Sequence, residues 1–135
     1  MYKYFTPTIE DIKIGYECEY FENQSKEWIK YVFDCNKIEE HINMPEEYIK
    51  NNFRNSYLTK DQIEEKGWLV DYSDESDISA SIYSNELNWY LEYWIDHFSL
   101  KITASKPGDS NDITFFLGSC KDINTFNHIC KLIGQ

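Results

Sequence analysis

Apolar residues recur at every second position over four successive segments, and the spacing then changes to that of a helix. Ile78, Ala80 and Ile82 alternate with Ser79, Ser81 and Tyr83. Trp89, Leu91, Tyr93 and Ile95 alternate with Tyr90, Glu92, Trp94 and Asp96. Phe98, Leu100, Ile102 and Ala104 alternate with Ser99, Lys101 and Thr103, and Ile113, Phe115 and Leu117 make a last strand. Period two puts neighbouring side chains on opposite faces of a strand. The turn-forming stretch Lys106-Pro107-Gly108-Asp109-Ser110-Asn111 separates the last two segments. Such spacing predicts an antiparallel meander. From Ile123, the residues Phe126, Ile129, Cys130 and Ile133 fall on one helical stripe. Asp122 in the first turn, Lys131 in the last and Gly134 beyond it suit the helix dipole and its termination. This amphipathic helix is expected to cover one face of the sheet.

Earlier segments add to the same α+β class. Ile14, Tyr16, Cys18 and Tyr20 alternate with Gly15, Glu17 and Glu19, a half-buried strand with an acidic outer face. Trp28 to Asp34 carries apolar groups on both faces and is expected to be central. Thr6 to Ile12 reads as a short helical turn capped by Thr8. Thr59-Lys60-Asp61-Gln62 fits a capping box that opens a two-turn helix over 59–66, stopped at Gly67. Residues 36–53 are polar and read as a surface insertion. The expectation is one domain over 1–135: an antiparallel sheet of about five to seven strands, a packing helix and a short capped helix. A length of 135 residues suits one such domain.

Charge limits the partners. There are 24 acidic against 13 basic side chains, a formal net charge of -11. A binder of phosphate backbones needs a basic patch, and an anionic membrane surface repels this chain. The fraction of apolar residues, 41%, is too high for a disordered acidic tail. No apolar run approaches the roughly 18 residues of a membrane span. The N-terminal stretch lacks the apolar core of a secretory signal, so the cytoplasm is the expected compartment. Cys18, Cys35, Cys120 and Cys130 show no Cys-x-x-Cys spacing and read as reduced, buried thiols.

Catalytic and metal signatures are weak. His41, His97 and His128 are scattered, and His97 next to Asp96 on a strand points to the opposite face. His128 reads as a half-buried structural residue beside the helical stripe. Glu17 and Glu19 share a face, but their expected role is a solvated surface. Asp71, Asp74, Glu75 and Asp77 lack the spacing and sharp-turn glycine of a calcium loop. The five glycines form no phosphate cradle. The expectation is a non-enzyme without cofactor or metal.

What remains is surface. If Trp89, Leu91 and Tyr93 face the core, Tyr90 and Trp94 lie on the other side, among carboxylates. Large aromatics bury much area at low entropy cost, and a negative field speeds docking onto a basic protein. Asp71, Asp74, Glu75 and Asp77 are therefore expected to supply electrostatics, with Tyr90 and Trp94 as anchors.

Three stretches together carry a resemblance: Thr6-Pro7-Thr8-Ile9-Glu10-Asp11-Ile12 leading to Gly15-Tyr16-Glu17-Cys18-Glu19, Tyr57 to Trp68, and Asn124 to Gly134. They resemble short, largely uncharacterised proteins of bacterial phages and mobile elements, and the chain is similar to anti-CRISPR proteins acting on a type VI, RNA-guided effector. Residues 36–53 and 71–112 take no part, and no binding residue carries over. The resemblance implies an inhibitor that binds a basic, nucleic-acid-handling defence nuclease and contacts no nucleic acid itself. Two other readings are an immunity protein against a basic toxin and a sequestering protein for a small signalling nucleotide.

Overall fold

The computed structural model describes residues 4–41 and 45–134. The chain divides into two compact units, Met1–Tyr57 and Leu58–Gln135. The α+β class is what the structure shows, with nine strands shared between two antiparallel sheets.

The N-terminal unit holds β1 (Tyr4–Phe5), β2 (Glu17–Glu22), β3 (Glu27–Val32), α1 (Cys35–His41), α2 (Glu46–Asn52) and β4 (Phe53–Ser56). Its sheet order is β1-β4-β2-β3. β2 and β3 form a hairpin, with Cys18 opposite Tyr31 and Tyr20 opposite Ile29. One face packs into a core of Tyr16, Cys18, Phe33, Ile49 and Phe53. Rings dominate this core: the Phe33 and Phe53 centroids lie 5.3 Å apart, and Tyr31 meets Phe33 edge-on at 5.0 Å. Few residues suffice because each aromatic buries so much area.

Several expectations change here. β3 is an edge strand rather than a central one, and Ile29 and Val32 are exposed. The strand through Tyr16 begins at Glu17, which leaves Ile14 on the surface. Thr6 to Ile12 forms no helix; a turn closes instead, with Asp11 Oδ2 accepting from the Thr8 amide at 2.8 Å. Within the segment read as a polar insertion, Ile49 and Phe53 are buried, and β4 starts at Phe53.

The C-terminal unit holds α3 (Lys60–Glu65), β5 (Leu69–Ser73), β6 (Asp77–Ile82), β7 (Asn88–Trp94), β8 (Ser99–Ser105), β9 (Ile113–Ser119) and α4 (Ile123–Leu132). The sheet order is β5-β6-β7-β8-β9, the meander expected from the spacing. Register aligns the apolar positions in rows: Ile78, Tyr93 and Leu100; Ala80, Leu91 and Ile102; Ile82, Trp89 and Ala104. α4 lays Ile123, Phe126, Ile129 and Cys130 on that face, and Ile63 and Trp68 join the same cluster. Asp122 is the N-cap itself, 7% exposed, accepting from the Thr125 amide at 3.0 Å. The capping box at α3 is present in both directions: Thr59 Oγ1 accepts from the Gln62 amide, and Gln62 Oε1 from the Thr59 amide. β7 ends at Trp94; a 3-10 turn follows at Ile95–His97, closed by Phe98 at φ 52°. No described helix is long and apolar enough to cross a membrane.

Two β-bulges reset the faces at the sheet's edges. Register slips between Val70 and Tyr72, so Asp71 is the extra residue and Tyr72 lands opposite Ser79. The slip between Ile102 and Thr103 leaves Phe115 as the extra residue on β9. Phe115 packs against Trp89 at 4.9 Å, and Leu117 is left exposed on the opposite face.

Candidate functional site

Alternation along β6 and β7 puts Ile78, Ala80, Leu91 and Tyr93 inward. It puts Asp77, Ser79, Ser81, Tyr90, Glu92 and Trp94 on the other face. No helix of the C-terminal unit packs on that face, because α3 and α4 both serve the core side. Tyr90 and Trp94 are half-buried there, as the alternation requires. Tyr83 meets Tyr90 edge-on at 6.4 Å.

Four of these residues frame a groove of about 210 Å³. Tyr72 on β5 and Trp94 on β7 form its sides, and Asp77 and Glu92 place carboxylates in it, with Ser79 between. Asp77 sits directly opposite Trp94, and Ser79 opposite both Tyr72 and Glu92. The volume lies below the roughly 300–1,000 Å³ of pockets that enclose whole small molecules. It has the size for one side chain.

The acidic residues picked out from the sequence divide by role. Asp71 accepts from Ser81 Oγ at 2.9 Å and so satisfies a fully buried hydroxyl. Asp74 builds the β5–β6 turn: it accepts from Tyr72 Oη at 2.6 Å, from the Ser76 and Asp77 amides at 2.8 Å each, and from Ser76 Oγ at 3.0 Å. The Tyr72 hydroxyl bond, followed by the Ser76 and Asp77 bonds, holds its carboxyl well below the usual range. Glu75 is exposed at the tip of this turn. Asp77 alone of the four lines the groove. Tyr72 and Glu92, which complete the groove, lie outside the set that the sequence pattern points to. The bulge at Asp71 hides Tyr72's face from any period-two reading, whereas the Glu92–Trp94 alternation was visible.

The other titratable groups do not converge. Glu17 pairs with Lys30 at 3.7 Å and Glu19 with Arg54 at 3.0 Å, so both are counter-ions rather than a bare solvated face. His97 lies exposed in the 3-10 turn, and His128 is exposed on α4 instead of half-buried. The His41 side chain lies outside the described residues. Among the described residues no group of three or more His, Cys, Asp or Glu is placed to hold a metal ion. The thiols are free; Cys18, Cys120 and Cys130 are buried as expected, but Cys35 is exposed. A second groove, about 400 Å³, lies in the N-terminal unit beside Pro7, Ile9 and Ile49, with exposed Glu46 and Lys50 at its rim.

Both units are acidic, residues 1–57 carrying 11 acidic and seven basic side chains. The C-terminal unit carries 13 of the 24 acidic residues and only six of the 13 basic ones. On the groove side of its sheet Lys101 on β8 lies directly opposite Glu92 on β7. No family model matches the sequence, and neither a curated protein nor a solved structure matches the chain.

Proposed function

We propose that the protein is a non-catalytic, acidic inhibitor of the anti-CRISPR kind. It docks on a basic, nucleic-acid-handling bacterial effector through the face of its C-terminal sheet opposite α3 and α4. One observation carries this reading: Tyr72, Asp77, Glu92 and Trp94 meet in a single groove, with Tyr90 and Asp71 on the same face. Aromatic anchors flanked by carboxylates combine buried area with charge complementarity to a basic surface. Such a surface on a nuclease is the one that otherwise holds nucleic acid, so occupying it inhibits without chemistry. The phage and mobile-element resemblance supports the biological setting, and the carboxylates of Asp77 and Glu92 in the groove suit a basic protein partner.

The nucleotide-sequestering alternative fits less well. Carboxylates of Asp77 and Glu92 would repel a phosphate in this groove. The test is capture of host proteins at low salt by the wild-type chain and by a D77N/W94A variant. Recovery of an RNA-guided nuclease by the wild type alone, weakening as salt rises, is the expected result. Recovery of no nucleic-acid-binding protein, or equal recovery by both chains, overturns the reading.

A further inference from the structure

The N-terminal unit already shows how this chain holds a guanidinium. Arg54, the only arginine in the sequence, has its Cζ 3.7 Å from the Tyr4 ring centroid and 4.4 Å from that of Trp28. Its Nε donates to Glu19 Oε1 at 3.0 Å. One tyrosine from β1, one carboxylate from β2 and one tryptophan from β3 form the cage.

The groove of the C-terminal unit repeats that set of groups around open space. Tyr72 and Trp94 stand on β5 and β7, alternate strands of the sheet, with Asp77 and Glu92 beside them. Across Ser79, Tyr72 faces Glu92 on strands about 9.5 Å apart, and Trp94 stands one row further along, opposite Asp77, so the two rings flank the groove on a diagonal that leaves room for one planar group. Small Ser79 on β6 forms the floor. The Tyr72 hydroxyl is tied to Asp74 at 2.6 Å, which fixes the orientation of that wall. Lys101, the cross-strand neighbour of Glu92, makes no ion pair with it among the described residues.

We propose that this groove receives an arginine side chain of the docking partner, its guanidinium between Tyr72 and Trp94 and facing Asp77 and Glu92. The assignment rests on the docking reading above. Arginine suits the site better than lysine, because its planar fork stacks on rings while pairing with a carboxylate.

The probe is Nα-acetyl-arginine amide, titrated against Nα-acetyl-lysine amide at constant ionic strength and followed by amide and indole NMR. Saturable shifts at the Trp94 indole and at Tyr72, Asp77 and Glu92 are expected, tighter for arginine. Trp94→Ala should weaken binding about fivefold, the loss of one exposed cation–π contact. Because that variant can perturb the sheet, the near-isosteric D77N/E92Q chain, checked by circular dichroism, must also lose the arginine preference. Absent saturation, equal binding of both probes, or preference retained in D77N/E92Q overturns the assignment. If the arginine probe fails while capture of a basic effector still needs Asp77 and Trp94, docking stands and the arginine assignment falls. If the probe binds as expected but no basic protein is captured, the docking reading is the one that fails.

Discussion

Arg54 donates from Nε to Glu19 Oε1 at 3.0 Å, linking β4 to β2 across 35 residues of sequence. The pair is partly shielded, with side-chain exposures of 27% and 29%, and two aromatic rings stack on the guanidinium. Lysine in its place keeps the charge but loses the planar stack and the directed bond. Arg54→Lys should therefore lower stability by about 1–2 kcal/mol. A double-mutant cycle with Glu19→Gln, read by urea unfolding, should give a coupling of about 0.5–1 kcal/mol. Coupling near zero would mean that the rings, not the carboxylate, hold Arg54.

α4 depends on a cap that is itself buried. Asp122 accepts from the Thr125 amide at 3.0 Å and is only 7% exposed. Asp122→Ala leaves a helix-terminal N–H without its acceptor and removes a charge from the positive end. The expected loss is about 1–2 kcal/mol by chemical denaturation, against about 1 kcal/mol for Thr59→Ala at the exposed α3 cap. Asp122→Asn, which keeps the acceptor, should recover most of it.

The four thiols should react in two classes. Cys35 is exposed, whereas Cys18, Cys120 and Cys130 are buried. Burial pushes the Cys18 and Cys120 thiols up to about 12, with Glu19 and Asp122 respectively adding to the rise. Since only the thiolate is nucleophilic, a disulfide reagent at pH 8 should titrate one thiol in the native protein and four in urea. Stability follows the same sign. A thiol whose folded value is raised stabilises the fold fully below its ordinary 9.0 and loses that contribution as pH climbs toward 12. Alkaline unfolding curves should fall in that window by up to about 1.4 kcal/mol per pH unit for each thiol.

The meander, α4 and the capping box were all legible because their signals are local: period two, period 3.6, and a Thr-to-Gln spacing of three residues. The division of strands between two sheets was not. β4 is Phe53-Arg54-Asn55-Ser56, with a single apolar residue to announce it. Its buried Asn55 is held instead by Tyr16 Oη and the Glu17 carbonyl, accepting from Nδ2 at 3.2 and 3.1 Å. Glu17 and Glu19 looked like a solvated face because their cations, Lys30 and Arg54, arrive from other strands. At the groove, Tyr90 and Trp94 followed from alternation, but the bulge at Asp71 shifts the period by one and so concealed Tyr72.

Asp74 offers a direct check on the groove's Tyr72 wall. Its carboxylate accepts from Tyr72 Oη, Ser76 Oγ and two backbone amides, and the tyrosine hydroxyl is the largest cause of its lowered pKa. The same bond raises the Tyr72 phenol, because the neutral O–H is the form that donates. A depressed carboxyl supports the turn fully above the ordinary Asp value of 3.8 and loses that support as pH falls toward the folded value. Carbon-13 NMR of the Asp74 carboxyl should show it still ionised at a pH where ordinary aspartates are half protonated. In Tyr72→Phe its titration should move up toward 3.8, while the amide bonds keep it somewhat below. The arginine probe should also bind that variant more weakly, since a ring freed from Asp74 no longer holds its place beside Asp77 and Trp94. An unshifted Asp74 titration in Tyr72→Phe would show that the hydroxyl does not anchor the ring.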